Sequence, residues 1–193
     1  MDGMKRIMDG VKEMMGELFS PPTEKNGVYR SFAEHIGVTD ITAIVETVLE
    51  GGVNEDMPYP ILYFHVTLAS NIPEEYEDKL TKSLNVLNNV ISVGDFPFFG
   101  AFSYYPRLSQ IYLSYRLPVN PDNPEGELTN LRYYFGVLYE ELDSFADYIM
   151  FLCNNEGESP DIDSYLSYLK EIEDWDDLKE RAKLLKTKGF TEG

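Results

Sequence analysis

Apolar residues recur at two different spacings along the chain, and these spacings predict its secondary structure. Spacings of three and four residues, typical of helices with one buried face, occur in four segments: 4–18, 71–91, 124–152 and 160–188. The last segment is long enough for one or two helices. Alternation with a period of two, or an unbroken apolar run, predicts five strands: Val28–Ile36, Ile41–Leu49, Ile61–Ala69, 96–105 and Ile111–Leu117.

The order of these segments predicts an α+β fold. We expect an antiparallel five-stranded sheet with helices packed mostly on one face, in the order helix, three strands, helix, two strands and helix. Ile61–Ala69 is predicted to be a central strand that is buried on both sides. Residues 1–153 form this predicted domain, and residues 154–193 are predicted to be an acidic, helical C-terminal extension.

Two helix starts carry capping residues. Asn71 is predicted to cap the second helix, with Glu74 three residues later, and Asn123 to cap the third, with Pro124 at its first position. The third helix has the longest apolar stripe, over 128–152, with a mean period of 3.5 that coiled coils share. A long helix lying across the sheet is the favoured interpretation, and packing against a second copy is the alternative.

The charge of the chain restricts its partners. Its 193 residues include 34 acidic and 16 basic side chains, for a formal net charge of −18. Residues 121–180 alone contain 17 acidic and 3 basic side chains. Nucleic acid is not expected as a partner, because phosphate binding needs a basic surface, and an anionic membrane is disfavoured for the same reason. The acidic segment is instead expected to be solvated or to face a basic partner.

Features that report on the compartment indicate the cytoplasm. The first residues lack the apolar core of a secretory signal, and no apolar run approaches the ~18 residues that cross a membrane. Cys153 is the single cysteine, so no disulfide can form within the chain. A soluble protein of a reducing cytoplasm is the simplest interpretation.

No catalytic or metal-binding motif is evident in the sequence. The histidines, His35 and His65, and the one cysteine are too few for a zinc site with four nitrogen and sulfur ligands. Glycine-rich phosphate loops and Gly-x-Ser-x-Gly motifs are absent. We therefore expect no metal, no cofactor and no enzymatic activity. A small hydrolase that uses two distant carboxylates is the enzymatic alternative.

Three groups of side chains are candidates for contact with another protein: methionines of the first helix, aromatic residues of the last two strands, and acidic residues near the C-terminus. The candidate partner-binding residues are Met4, Met8, Met15, Phe98, Phe99, Tyr104, Tyr105, Tyr112, Glu171, Asp174 and Asp177. Each group also has a structural interpretation. The methionines can pack on the core, the C-terminal helices can cover the aromatic residues, and the acidic residues can form a solvated helix face.

Three short motifs add to the element order: Ser83-Leu84-Asn85-Val86-Leu87-Asn88 late in the second helix, Val93-Gly94-Asp95-Phe96 before the last hairpin, and Ile111–Leu117 running into Pro118. With that order, the chain resembles the YbjN-like proteins, which are similar in fold to the class I type III secretion chaperones. The resemblance covers residues 4 to about 153, and the C-terminal extension has no counterpart in it. It implies a small, acidic α+β protein, often dimeric, that binds other proteins rather than catalysing a reaction.

These observations leave three hypotheses for the function. The leading one is a non-enzymatic, cytoplasmic protein-binding module with a chaperone-like fold, acting as a homodimer. The second is an acidic inhibitor or immunity-type protein that neutralises a basic enzyme through residues 121–180. The third is a small hydrolase.

Overall fold

One antiparallel sheet forms the centre of the structure. The computed structural model describes residues 2–51, 59–93, 100–158, 161–172 and 178–190. The strands in these ranges are β1 (Thr23–Lys25), β2 (Val28–Ile36), β3 (Ile41–Glu50), β4 (Ile61–Ala69), β5 (Ala101–Tyr105) and β6 (Gln110–Pro118). Their order across the sheet is β1-β2-β3-β4-β6-β5, and every neighbouring pair is antiparallel.

The helices pack on one face of this sheet. Those in the described ranges are α1 (Asp2–Leu18), α2 (Glu77–Val93), α3 (Pro124–Asn154), α4 (Ile162–Ile172) and α5 (Leu178–Thr187). The Phe135 ring of α3 meets the Phe64 ring of β4 edge-on, with centroids 4.9 Å apart. Phe19, which follows α1, packs against the same Phe135 ring at 6.4 Å. Helix α3 therefore joins the sheet and α1 in one hydrophobic core.

The C-terminal helices pack against α3. Tyr165 and Tyr168 of α4 and Leu185 of α5 are fully buried. The Tyr165 hydroxyl donates a hydrogen bond to the carbonyl oxygen of Ser144 at 2.6 Å. These side chains belong to the same hydrophobic cluster as the sheet and the first three helices. The segment after residue 154 therefore shares its core with the preceding residues.

The α+β prediction is confirmed, with one strand more than expected. The additional strand, β1, consists of three exposed polar residues, so it shows no hydrophobic alternation. It pairs with β2 across Asn26 and Gly27, both of which have a positive φ (54° and 77°). Two consecutive positive φ angles are typical of the type I′ turn of a two-residue hairpin, for which Asn-Gly is the preferred sequence.

Strand β4 is central in the sheet, but the prediction that it is buried on both sides is wrong. Burial alternates along the strand between buried and partly exposed side chains. The reason is that the helices pack on the face that carries Phe64 and the other buried residues. The unbroken apolar run arises because the second face also carries aromatic and aliphatic residues.

One of the two predicted helix caps is confirmed. The Asn123 side chain accepts a hydrogen bond from the Gly126 amide at 3.3 Å, and α3 begins at Pro124. Asn71 is not a cap, because it has a positive φ of 60° and a short 3-10 turn, Glu74–Tyr76, separates it from α2. Asparagine favours both capping positions and left-handed turn positions, and here the turn at the end of β4 uses the second preference.

Candidate functional site: the open face of the sheet

One face of the sheet is not covered by any described helix. The helices pack against the opposite face, which carries the buried side chains of the strands. Strand register places the remaining side chains together on the uncovered face, which we call the open face. It consists of Thr23, Lys25, Val28, Arg30, Phe32, Glu34, Ile44, Glu46, Val48, Glu50, Ile61, Tyr63, His65, Thr67, Ala101, Ser103, Tyr105, Gln110, Tyr112, Ser114 and Arg116.

Apolar side chains of the open face are accessible to solvent. Phe32 on β2 is 42% exposed and Tyr105 on β5 is 40% exposed. Ile44 and Val48 on β3 are partly exposed between them. Exposed apolar side chains on one face are typical of contact sites in soluble proteins.

An aromatic cluster occupies the centre of the open face. It consists of Tyr63 and His65 on β4 and Tyr112 and Arg116 on β6. The Tyr63 hydroxyl lies 3.3 Å from His65 Nδ1, and the ring centroids of His65 and Tyr112 are 4.7 Å apart. The guanidinium carbon of Arg116 lies 5.1 Å from the centroid of the Tyr63 ring, within the range of a cation–π interaction.

The open face is nearly neutral although the chain is strongly acidic. It carries three basic side chains, Lys25, Arg30 and Arg116, and three glutamates, Glu34, Glu46 and Glu50, in a chain of net charge −18. Arg30 donates to the Glu46 carboxylate from Nε at 2.9 Å and from Nη2 at 2.6 Å. Burial lowers the pKa of His65, and the nearby Glu46 carboxylate opposes this shift only in part, so the imidazole is neutral at pH 7.

The edges of the sheet are protected against strand addition. On the edge strand β5, the Phe102 amide donates to Asn88 Oδ1 at 3.0 Å, and Asn88 Nδ2 donates to the Phe102 carbonyl oxygen at 2.8 Å. The Asn88 side chain of α2 thus takes the place of one residue of a further strand. The opposite edge is the short, polar β1. A partner is therefore better accommodated on the face of the sheet than along its edges.

Two carboxylates of α3 hold the turn between β2 and β3. Asp147 accepts hydrogen bonds from the amides of Val38 at 3.0 Å and Thr39 at 2.8 Å, and Asp143 accepts one from the Gly37 amide at 3.0 Å. Sequence patterns do not reveal these roles, because the amides lie 106–109 residues earlier in the chain. A cavity of about 520 Å³ next to this turn is lined by Thr39, Asp147, Met150, Phe151, Asn154, Asn155, Gly189 and Phe190.

The structure divides the predicted aromatic contact residues. Tyr105 and Tyr112 lie on the open face. Tyr104 lies on the opposite face, where it packs against the core, because successive side chains of a strand point to opposite sides. Phe98 and Phe99 lie outside the described residues.

The other predicted contact residues also differ in exposure. Met15 is fully buried, so the prediction that it forms part of a contact surface is corrected: the apolar stripe of α1 faces the core. Met4 and Met8 are partly exposed, and Met8 packs against that core. Glu171 is exposed and accepts a hydrogen bond from Lys188 Nζ at 2.7 Å. Asp174 and Asp177 lie outside the described residues.

Sequence reasoning missed three members of the aromatic cluster, namely Tyr63, His65 and Arg116. A signal for two of them is present within Ile61–Ala69, where Tyr63, His65 and Thr67 alternate with aliphatic and aromatic residues. Side chains with polar tips at every second position are typical of a half-exposed face. That signal is easily overlooked because Tyr63 counts as apolar in a hydrophobicity pattern.

Comparison of the chain with protein-family models, curated proteins and solved structures finds no match. Among the described residues, no helix has both the length and the apolar character needed to cross a bilayer. The same residues contain no group of three or more His, Cys, Asp or Glu side chains that could hold a metal ion.

Proposed function

We propose that this chain is a non-enzymatic, cytoplasmic protein-binding module and that the open face is its binding surface. The observation that carries the proposal is the aromatic cluster at the centre of an uncovered sheet face. Tyrosine and arginine are among the residues most enriched at the energetic centres of protein interfaces. The proposal agrees with the role that the resemblance to YbjN-like proteins implies.

The shape and charge of the open face favour a protein over other partners. A sheet face is broad, whereas sites for small molecules are concave and enclose most of the ligand. The pairing of Arg30 with Glu46 leaves this face with little net charge, which suits a partner that buries apolar area. Aliphatic side chains such as Ile44 and Val48 lie beside the aromatic cluster and can exclude water from it.

Co-purification from an extract of the source organism tests this proposal. Tyr112→Glu places a charge in the aromatic cluster, and Tyr133→Glu is the matched control, because Tyr133 is 59% exposed on α3. We expect the unmodified chain and the control to recover the same protein and Tyr112→Glu to lose most of it. Equal recovery by all three folded chains would contradict the proposal.

Inhibition of a basic enzyme is a second candidate function, favoured by exposed carboxylates on α3 and α4. Glu140, Asp163 and Glu171 are exposed on these helices, which lie on the side of the sheet opposite the open face. Such a surface would attract a basic protein, with an affinity that falls steeply as salt is added.

Charge reversal distinguishes the two functions. If the acidic helices bind the partner, Glu140→Lys combined with Asp163→Lys should weaken binding strongly, while Tyr112→Glu leaves it unchanged. If the open face binds the partner, the two variants should have the opposite effects. Titration of the purified partner into each variant at low salt measures the difference.

A further inference from the structure

The cavity next to the β2–β3 turn has a buried carboxylate in its lining. Its volume is about 520 Å³, and we call it the turn cavity. Asp147 and Phe190 are buried lining residues, at 3% and 5% exposed, whereas Thr39, Asn154 and Asn155 are exposed around them. Cavities of about 300–1,000 Å³ that combine apolar side chains with a few polar groups are typical of small-molecule sites.

The Asp147 carboxylate is held by hydrogen bonds and not by a basic side chain. Its Oδ1 accepts from the Thr39 amide at 2.8 Å and from the Thr39 hydroxyl at 2.7 Å, and its Oδ2 accepts from the Val38 amide at 3.0 Å. Among the described residues, no lysine or arginine forms an ion pair with it. Two carboxylate oxygens offer about four acceptor positions, so Oδ2 has one position left.

Two basic side chains at α5, Arg181 and Lys188, have carboxylate partners of their own. Arg181 Nη1 lies 3.2 Å from Asp143 Oδ2, and Lys188 Nζ lies 2.7 Å from Glu171 Oε1. The described lining residues of the turn cavity include no basic side chain. A buried carboxylate without an ion-pair partner attracts a cation more strongly than the same group does in water, because the protein interior screens charge less.

The C-terminal end of α3 adds partial negative charge to the turn cavity. Asn154 is the last residue of this 31-residue helix, and both Asn154 and Asn155 line the cavity. A helix carries about half a negative elementary charge at its C-terminus, where cations are favoured. The last turn of α3 contains no basic residue that would balance this charge. The end of α3 and the Asp147 carboxylate therefore favour a cation in the same cavity.

Apolar side chains of the lining determine which kind of cation fits. The Phe151 and Phe190 rings meet edge-on, with centroids 5.5 Å apart, and Met150 also lines the cavity. Aromatic faces attract organic cations, and thioethers pack well against carbon chains. A metal ion instead needs several ligand atoms around it, and the described residues contain no group of three or more His, Cys, Asp or Glu side chains that could hold one.

We propose that the turn cavity is a binding site for a small aliphatic amine in its ammonium form. The ammonium group donates to Asp147 Oδ2, and the carbon chain lies against Phe151, Phe190 and Met150. None of the lining residues lies on the open face, so this site is separate from the proposed protein-binding surface.

Isothermal titration calorimetry of the full chain with putrescine, a four-carbon diamine, at physiological salt tests the proposal. The uncharged four-carbon diol is the control ligand, because it has the same carbon chain. We expect one putrescine to bind per chain and the diol not to bind. In nuclear magnetic resonance spectra, putrescine should shift the amide signals of Val38 and Thr39, because both amides bond to Asp147.

A pair of charge variants separates this site from the general attraction of a chain of charge −18 for cations. Asn154→Lys places a positive charge in the lining of the cavity, and Asn85→Lys makes the same change at an exposed position of α2. Asn154→Lys should raise the dissociation constant of putrescine by about tenfold or more, whereas Asn85→Lys should raise it by less than about twofold. Far-UV circular dichroism confirms that both variants are folded.

Three results would overturn the proposal: no binding of putrescine, equal binding of the diol, or equal weakening by the two variants. Equal weakening would mean that the diamine is attracted by charge spread over the acidic surface. Displacement of putrescine by magnesium at equal concentration would also contradict the proposal, because the cavity would then be a metal site.

Discussion

At the scale of single residues, Glu141 stands apart because it places a carboxyl group in the hydrophobic core. Its side chain is 3% exposed, and neither of its oxygens has a hydrogen-bond partner among the described residues. Burial raises the pKa of Glu141 from 4.5 to about 9, so the group is protonated at pH 7. In the unfolded chain the same group ionises, and ionisation therefore favours unfolding.

The sign of the resulting pH dependence follows from the two pKa values. Below pH 4.5 the carboxyl is protonated in both states and makes no contribution to the pH dependence, and stability is lost as the pH rises from 4.5 towards 9. The loss amounts to roughly 3 kcal/mol at pH 7. Glu141→Gln should therefore increase the free energy of unfolding by about this amount at pH 7 and by little at pH 5.

Urea unfolding of the Glu141→Gln chain at pH 5, 7 and 8 measures this effect. Glu140→Gln is the matched control, because Glu140 is exposed one position earlier on α3. The control should keep the pH dependence of the unmodified chain. Parallel pH profiles for the unmodified chain and Glu141→Gln would show that the carboxyl is ionised in the folded protein.

At the scale of elements, local patterns predict strands and helices well where they bury one face. β2 and β4 have the predicted bounds, because their alternation or apolar content extends along the whole strand. β1 was not predicted, because the Asn26-Gly27 turn and pairing with β2 stabilise it, whereas its side chains are not buried. The Asn-Gly turn is therefore the sequence signal that indicates β1, because the hydrophobic pattern does not show this strand.

The open face is harder to predict from sequence than the elements that form it. Tyr105 and Tyr112 are predicted contact residues that lie on it, whereas Tyr104 belongs to the covered face. Which of two aromatic faces stays open depends on where the helices pack. Pairing between β4 and β6 joins residues such as Tyr63 and Arg116, which are far apart in the chain, and no local pattern records that register.

Helix α2 and strand β5 are joined through the Asn88 side chain, and its removal should have two effects. Asn88→Ala leaves the amide and carbonyl groups of Phe102 without their present partner. We expect a loss of about 1–3 kcal/mol in the free energy of unfolding. The freed edge of β5 should also make the chain prone to aggregation through added strands.

Asn85→Ala is the matched control for this variant, since Asn85 is exposed on the same helix and belongs to the same Leu-Asn-x-Leu-Asn motif. Thermal unfolding and light scattering on both variants make the comparison. If Asn85→Ala and Asn88→Ala behave alike, the amide pairing with β5 contributes nothing measurable.

At the scale of the whole molecule, acidic charge and apolar surface are separated. Residues 121–180 contain 17 acidic and 3 basic side chains, and the described part of this segment includes all of α3 and α4 on the covered side of the sheet. The open face carries balanced charges. A partner that binds the open face therefore lies on the opposite side of the sheet from the most acidic helices.

Salt should therefore affect binding at the two surfaces differently. Added salt screens the long-range attraction between the acidic helices and a basic partner, whereas contacts between buried apolar side chains are affected much less. The dissociation constant of a partner bound on the open face should change little as the salt concentration rises from low to physiological. Binding of a basic partner to the acidic helices should weaken over the same range.

Titration of the purified partner into the chain at several salt concentrations checks this prediction. Binding at the open face that weakens steadily as salt is added would mean that charge attraction, rather than buried apolar area, holds the partner there.

The hold of α3 on the β2–β3 turn has a consequence for the order of folding. The amides of Gly37, Val38 and Thr39 bond to carboxylates that follow 106–109 residues later in the chain. These amides gain their partners only when α3 packs against the sheet. We therefore expect the hydrogen bonds of the turn to form late in folding, because they close a loop of more than 100 residues. The amide hydrogens of a surface turn normally exchange with solvent during brief local openings. Here we expect exchange only when α3 separates from the sheet. Three turn residues thus report on the cooperative opening of the whole core.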